Sequence, residues 1–168
     1  FESLRETNFV KLVIAGDGRM SDWIQQQVKE RSLSNVIMIG RHPLHEMPAL
    51  FEAGDALLVS LKTNTIFSKT VPGKVQAYLA AGKPIIGMID GEAARVINES
   101  GAGMTCIAGN GEELKKLVRE MARMSKEERA NMGEAGRRYY QKHFSKEKLI
   151  GFLEELFRNS TLRREDKS

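Results

Sequence analysis

The chain has 168 residues, 41% of them hydrophobic, which suits a single globular domain with a sizeable core. Its 26 basic and 22 acidic residues give a net charge of +4, compatible with an anionic small ligand or membrane surface and not requiring nucleic acid. The sequence contains no run of about 18 apolar residues, so it predicts no membrane span. The first residues lack the apolar core of a secretory signal. The single cysteine, Cys106, predicts a buried thiol in a reducing, cytoplasmic setting.

Five short apolar runs predict β-strands. Each run is continuously apolar rather than alternating, which indicates strands covered on both faces, as in parallel sheets. The predicted strands lie at 11–15, 36–39, 56–60, 85–89 and 104–107.

Helical patterns separate these strands. Ser21 is placed to cap the first helix, which puts Ile24, Val28 and Trp23 on its inner face. Gly82, followed by a proline, predicts the end of a helix over 74–81. Two further helices are expected over 46–53 and 92–99.

The pattern after the last strand is purely helical. Two capping boxes, each with a Glu three residues after an Asn or Ser, predict the first two of its helices. These boxes are Asn110 with Glu113 and Ser125 with Glu128, they open helices over 111–124 and 126–142, and a third helix follows Ser145.

Alternation of strands and helices predicts an α/β fold with a doubly wound parallel sheet and a helical C-terminal section. We expect one domain over 1–158 and a charged, frayed tail over 159–168. Right-handed crossovers would place the strand-to-helix loops on one edge of the sheet, where ligands bind. Residues 1–8 look like the end of a helix, so we expect the chain to open one strand late. A parallel sheet without an inner strand exposes backbone edges.

The first of these loops, 16–21, contains Gly16 and Gly18. It lacks the third glycine of a dinucleotide fingerprint, and no acidic residue closes the next strand. The two glycines therefore form either a tight turn alone or a turn that also lines a nucleotide pocket.

The loop over 61–73 is long and polar, and loops of this length inside a compact domain are often functional. It carries Lys62 and Lys69, and Lys74 follows in the helix. The amides of Gly73, Lys74 and Val75 would be unpaired donors at the helix start, where the dipole favours an anion. We predict a phosphate site at Gly73 and Lys74; a solvated basic loop is the alternative, above all for Lys62.

Several blocks in order carry a family resemblance. They read LVIAGDG, NVIMIGRHPLHEMPALFEAGDALLVSL, VPGKVQAYLAAGKPIIGMIDGE and GAGMTC. Across 11–157 the chain resembles the C-terminal, donor-binding domain of family 4 of the retaining glycosyltransferases. These enzymes have the GT-B fold, in which two Rossmann-like domains face each other across a cleft. Within the family the chain is most similar to enzymes of bacterial surface polysaccharide synthesis, such as L-fucosamine transferases.

The resemblance implies roles for the loop residues. Gly16 and Gly18 would line the cleft, and the helix start at Gly73 and Lys74 would hold the donor diphosphate, beside Lys62 and Lys69. The nucleotide base would meet the backbone around Arg41, His42 and Pro43.

The same resemblance exposes a departure. Family members often have two glutamates eight positions apart, which touch the donor sugar and the ribose, and these positions fall on Lys69 and Ala77. Gln76, beside the second position, could reach a ribose. Glu92 is either a substitute carboxylate or a first-turn residue favoured by the helix dipole.

The expected activity is transfer of a sugar from a nucleotide-sugar, predicted to be a UDP-sugar, without a metal or other cofactor. The three histidines are not spaced as a metal site. An N-terminal acceptor domain would lie outside this chain, which alone would bind nucleotide weakly and transfer nothing. A lipid-linked acceptor would place the protein in the cytoplasm, peripheral to the inner face of the membrane. The alternative is a non-catalytic nucleotide-binding or interaction domain that kept the fold.

Overall fold

The computed structural model describes residues 9–62 and 69–165, with side chains described up to residue 158. The described residues form five strands and seven α-helices in alternation. The strands are β1 (Leu12–Ala15), β2 (Val36–Gly40), β3 (Leu57–Ser60), β4 (Ile85–Met88) and β5 (Gly103–Cys106). The helices are α1 (Ser21–Glu30), α2 (Met47–Ala53), α3 (Gly73–Ala81), α4 (Glu92–Glu99), α5 (Gly111–Arg123), α6 (Lys126–His143) and α7 (Lys146–Glu165).

The α/β fold is confirmed, and each observed strand end lies within one residue of its prediction. All pairs are parallel, but they form two sheets, β1–β2 and β3–β4–β5. Leu12 of β1 and Leu58 of β3 pack against the same apolar cluster, so the two sheets share one core on that face. Among the described residues no strand joins β1 to β3. That the chain opens one strand late stays a prediction.

The best-packed part of the molecule surrounds β4. On one face, Val75 and Leu79 of α3 and Val96 and Ile97 of α4 are fully buried in a cluster with Ile85. On the other face, Val118 and Met121 of α5 contact Ile86. β4 is therefore covered on both faces, as its apolar run predicts.

The prediction that the strands are covered on both faces was wrong for β1 and β2. Val13 of β1 and its register partner Ile37 of β2 are 53% and 40% exposed. The physical reason is the placement of the helices, since α3 to α6 pack chiefly around the three-stranded sheet. The first helix buries none of its residues, and Trp23, predicted on its inner face, is 50% exposed.

The predicted helix starts differ in their outcome. Ser125 and Glu128 form the complete capping box, in which each side chain accepts from the other residue's backbone amide. At α5 the Asn110 side chain accepts from the Glu113 amide at 3.1 Å.

The prediction that Ser21 caps the first helix was wrong. Met20 is the N-cap residue of α1, and no side chain caps this end. Ser21 lies one position inside the helix, where its amide donates to the Gly18 carbonyl at 2.9 Å. The Ile24 amide, which a Ser21 cap could have engaged, donates instead to the Met20 carbonyl at 2.9 Å.

Helix α7 runs to Glu165 and so extends into the segment predicted as a charged tail. Its apolar side chains are between 43% and 70% exposed: Leu149, Ile150, Phe152, Leu153, Leu156 and Phe157. A membrane-spanning helix is absent from the part of the chain that the structure describes.

Helix α6 approaches the α3–β4 turn through two glycines. Gly133 lies so close to this turn that a Cβ at its position would overlap the Gly82 carbonyl oxygen. Gly136 lies against Leu79 and Ala102 in the same way. Arg137 then donates to the Ala81 carbonyl at 3.0 Å, which satisfies one acceptor at the end of α3.

We expect Gly133→Ala to lower the free energy of unfolding by about 2 kcal/mol, because overpacking outweighs the helix propensity of alanine. Gly151→Ala in α7 is the matched control, since a Cβ there meets nothing within 4 Å. That control should raise stability by about 0.5–1 kcal/mol. Urea denaturation measures both, and a neutral Gly133→Ala would contradict the close packing of α6.

Candidate functional site

The predicted site residues follow the carboxyl ends of the parallel strands. Gly16 and Gly18 come after β1, and Arg41, His42 and Pro43 come after β2. Lys62 follows β3, Gly73 and Lys74 begin the helix after it, and Glu92 begins the helix after β4. Because parallel strands place these ends on one edge of a sheet, this edge is the candidate site. Residues 63–68 of the predicted loop over 61–73 lie outside the described residues.

The turn after β1 is both tight and open to the outside. Gly16 has a φ of 130°, a conformation available chiefly to glycine. Its amide donates to the Gly40 carbonyl at 2.6 Å, which ties this turn to the end of β2. A Cβ at Gly16 or Gly18 would meet nothing within 4 Å, so both glycines border open space.

An open depression of about 650 Å³ lies just after β2. It is lined by the three predicted residues together with two apolar ones: Arg41, His42, Pro43, Leu44 and Met47. Leu44 is 86% exposed and begins a short 3-10 helix. The depression combines apolar surface with two side chains that can form hydrogen bonds, as small-ligand sites do.

Sequence reasoning missed one interaction in this depression. His42 Nδ1 lies 2.8 Å from Glu46 Oε2, with the His42 side chain 27% exposed. Glu46 closes a short 3-10 helix (Leu44–Glu46), while His42 precedes that helix. The four-residue spacing is visible in the sequence, but His42 is not helical, so helix periodicity could not have assigned the pair.

The start of α3 presents backbone donors to solvent. Pro72 is the N-cap residue, in an extended conformation, and it has no amide hydrogen to donate. Within the described residues no acceptor is found for the Gly73 and Lys74 amides, and both residues are exposed. The prediction that the Val75 amide is an unpaired donor was wrong, because this amide donates to the Pro72 carbonyl at 2.9 Å.

Three lysines lie near this helix start in the sequence. Lys62, Lys69 and Lys74 are all exposed. Gln76, considered above for a ribose contact, instead uses its side-chain amide to donate to the Val71 carbonyl at 3.3 Å. Lys69 and Lys74 are thus close in sequence to the backbone donors, and no carboxylate occupies positions 69 or 77.

Glu92 has a protein partner at this edge. Its carboxylate forms an ion pair with Arg95, and Arg95 also bonds to Glu99. The hydrogen bond from Arg95 lowers the pKa of Glu92 below its ordinary value, which favours the charged form. Glu92 is thus a hydrogen-bond acceptor rather than a proton donor at neutral pH.

The loops after β4 and β5 are joined by a side chain. Asp90 Oδ1 accepts from the Ala108 amide at 3.1 Å, which holds the two carboxyl-edge loops together. Cys106, just before the second loop, is 8% exposed, and burial raises the pKa of its thiol. The prediction of a buried thiol is confirmed. Within 9–62 and 69–165 no group of three His, Cys, Asp or Glu residues could hold a metal ion.

Comparison with known proteins agrees with this geometry. Residues 1–139 match the family model described as "Glycosyl transferases group 1". The "Probable glycosyltransferase WbjE" of Pseudomonas aeruginosa is 29% identical over 132 residues, which cover 77% of this chain and 32% of that protein.

Two solved structures share the fold. Alr3699/HepE of Anabaena, in complex with UDP-glucose, superposes with a TM-score of 0.78 at 16% identity, covering 94% of this chain and 43% of that one. The pneumococcal O-GlcNAc transferase GtfA, in complex with UDP and GlcNAc, gives a TM-score of 0.68 at 12% identity, covering 94% of this chain and 31% of that one. The chain thus spans well under half the length of each of these proteins.

We expect Arg95→Met to raise the pKa of Glu92 toward its ordinary value, because the hydrogen bond that favours the carboxylate is lost. Since the folded pKa is lowered, the pair stabilises the fold above the unfolded pKa, and this stabilisation is lost as pH falls through the folded pKa. Carbon-13 NMR titration of the glutamate carboxyls measures the shift. Arg138→Met, an exposed arginine of α6, is the control and should leave Glu92 unchanged.

Proposed function

The chain belongs to the glycosyl transferases group 1 family, and from that premise we propose that it is the donor-binding domain of a retaining glycosyltransferase that uses a nucleotide-sugar. The donor would be a UDP-sugar bound at the carboxyl edge described above. The exposed, unpaired amides of Gly73 and Lys74 carry this proposal, because donors at a helix start, with Lys69 and Lys74 close to them in sequence, suit a diphosphate.

Electrostatics at the start of α3 favour an anion in two ways: through the free amides, whose partial charges form the positive end of the helix dipole, and through the lysines. The Gly73 and Lys74 amides are donors, the helix dipole is positive at this end, and the lysine ammonium groups add full charges. Gly73 has no Cβ, so a ligand can approach its backbone closely. The space that a Cβ would occupy is open, because a Cβ built there would meet nothing within 4 Å. A bound diphosphate would therefore approach the helix end directly.

Sugar transfer requires a diphosphate leaving group whose developing charge is stabilised in place. The amides and lysines at the start of α3 would supply that stabilisation. The depression at Arg41, His42 and Pro43 would hold the base. Gly16 and Gly18 border open space and would leave room for the rest of the donor along the cleft. A role for Glu92 toward the sugar would require its ion pair with Arg95 to open or to be shared with the ligand.

The remaining machinery would lie elsewhere in a longer protein. The chain covers only 32% of the Pseudomonas aeruginosa relative and 43% of the Anabaena protein. We propose that an N-terminal domain binds the acceptor and closes the cleft. We also propose that the sheet of the donor-binding domain described here gains a strand from the chain before residue 1. Synthesis of a bacterial surface polysaccharide, transfer of an L-fucosamine-type sugar and a lipid-linked acceptor at the inner membrane face rest on the sequence resemblance of 11–157.

A non-catalytic nucleotide-binding domain is the second candidate. The observation in its favour is the absence of both donor-site glutamates, since lysine and alanine occupy positions 69 and 77. Such a domain would still bind nucleotide, so sugar transfer by the full-length protein separates the two candidates.

We expect Lys74→Ala to weaken UDP binding by about tenfold, roughly 1.4 kcal/mol, because a charge-assisted contact to the diphosphate is lost. Lys69→Ala should act in the same direction. The matched control is Lys126→Ala, an exposed lysine of α6 three residues before Arg129, which pairs with Asp55 at the opposite edge of the sheet.

Isothermal titration of the full-length protein with UDP and GDP and with their sugars measures these affinities. Absence of saturable binding to every one of them would overturn the proposal. Equal losses in the Lys126→Ala control would show that only net charge matters, and would remove α3 from the site.

We also expect the 168-residue domain alone to release no UDP from a UDP-sugar in the presence of acceptor, because the acceptor-binding groups are proposed to lie outside it. A coupled UDP-release assay measures this, with the full-length protein as the positive control. Turnover by the domain alone would contradict the proposal that the acceptor-binding groups lie outside it.

A further inference from the structure

We infer that the Glu46–His42 pair determines which nucleobase this domain accepts. Glu46 holds the proton of His42 on Nδ1, so that Nε2 faces a ligand as an acceptor and selects bases whose ring edge carries an N–H, namely uracil and guanine. Cytosine and adenine are disfavoured. This inference rests on the proposed function, because it requires a nucleotide in the depression after β2.

The hydrogen bond defines the tautomer of the ring. A carboxylate can only accept, so in the 2.8 Å contact the proton lies on His42 Nδ1 and is donated to Glu46 Oε2. In the neutral imidazole the second nitrogen, Nε2, then carries a lone pair and no hydrogen. His42 lines the depression, and among the described residues no protein group bonds to its Nε2.

The other residues of the depression provide its apolar surface and its hydrogen-bond donor. Pro43, Leu44 and Met47 offer apolar surface to the face of a flat ring and cannot distinguish its edges. Arg41 is a donor only. The polar side chains of the depression are therefore one donor, Arg41, and one ring with an acceptor nitrogen, His42.

This pair of groups complements a ring N–H beside a carbonyl. Uracil presents N3–H next to O4, and guanine presents N1–H next to O6, whereas cytosine and adenine present a lone-pair nitrogen next to an amino group. A base of the second kind would place its lone pair against that of His42 Nε2 and its amino donor against Arg41. Leaving polar groups of a site unpaired is what rejects the wrong ligand.

The neighbouring imidazole is a suitable comparison. His45 Nε2 lies 3.9 Å from the other oxygen of the same carboxylate, beyond hydrogen-bond distance, and its side chain is 81% exposed. His45 does not line the depression. A substitution of His45 changes a histidine near Glu46 without changing the Glu46–His42 pair that is proposed to select the base.

The experiment measures dissociation constants of the full-length protein for UDP, GDP, CDP and ADP by isothermal titration. We expect UDP or GDP to bind at least about tenfold more tightly than CDP and ADP, in line with the worth of one hydrogen bond. The UDP and GDP arms distinguish which of the two N–H bases fits.

Glu46→Gln is the decisive variant, because the amide is isosteric and can donate to Nδ1, which allows the proton to move to Nε2. We expect the preference for N–H bases to fall at least about threefold, while His45→Asn leaves it unchanged. Nitrogen-15 spectra of the histidine rings report the tautomer directly, and a merely structural role of Glu46 would not move it. His42 should be protonated on Nδ1 in the native protein and shift toward Nε2 in Glu46→Gln.

Two results would overturn the inference while leaving the proposed function standing. One is equal affinity for all four nucleotides, and the other is a base preference that Glu46→Gln does not change. Failure of every nucleotide to bind would instead overturn the proposed function itself, and the inference with it.

Discussion

The packing of α3 against β3 and β4 is the constraint on which the site depends. Val75 and Leu79 have no exposed surface, and they lie against Val59 and Ile85 in one cluster. This burial directs the start of α3 to the carboxyl edge of the sheet and leaves its first amides in solvent. Helix α6 secures the far end, where glycines permit the contact that any larger residue would prevent. The proposed anion site would thus be created by apolar packing and would need no strained backbone of its own.

The two halves of the candidate site differ in how firmly they are held. The half at α3 and α4 stands on a strand that is buried on both faces. The half after β1 and β2 stands on a two-stranded sheet with exposed Val13 and Ile37, and it is tied by the Gly16 to Gly40 hydrogen bond. A base held by the second half and a diphosphate held by the first would bridge the two sheets. Ligand binding would then stabilise the relation between them, because a ligand that binds only the assembled state favours that state.

Much of the fold could be predicted, for reasons visible in particular residues. The strand at 85–89 was found because β4 is buried on both faces and must be apolar throughout. The end of α3 was found because Gly82 adopts a φ of 68°, which glycine tolerates best. The Ser125 capping box was found because both of its hydrogen bonds are local. Exposure of Val13 could not be predicted, because an apolar side chain in a strand does not say whether a helix covers it.

The sequence by itself determined the order of elements, the family resemblance and the positions of Lys62, Lys69, Gly73 and Lys74. Each of these depends on local periodicity, on backbone preference or on blocks in a fixed order. The tertiary structure alone decided that the sheet divides between β1 and β3. It also decided that Asp90 bridges two loops and that His42 bonds to Glu46. The reason is that these polar partners lie in or beside irregular segments, where a hydrogen bond depends on three-dimensional distance and no sequence period specifies it.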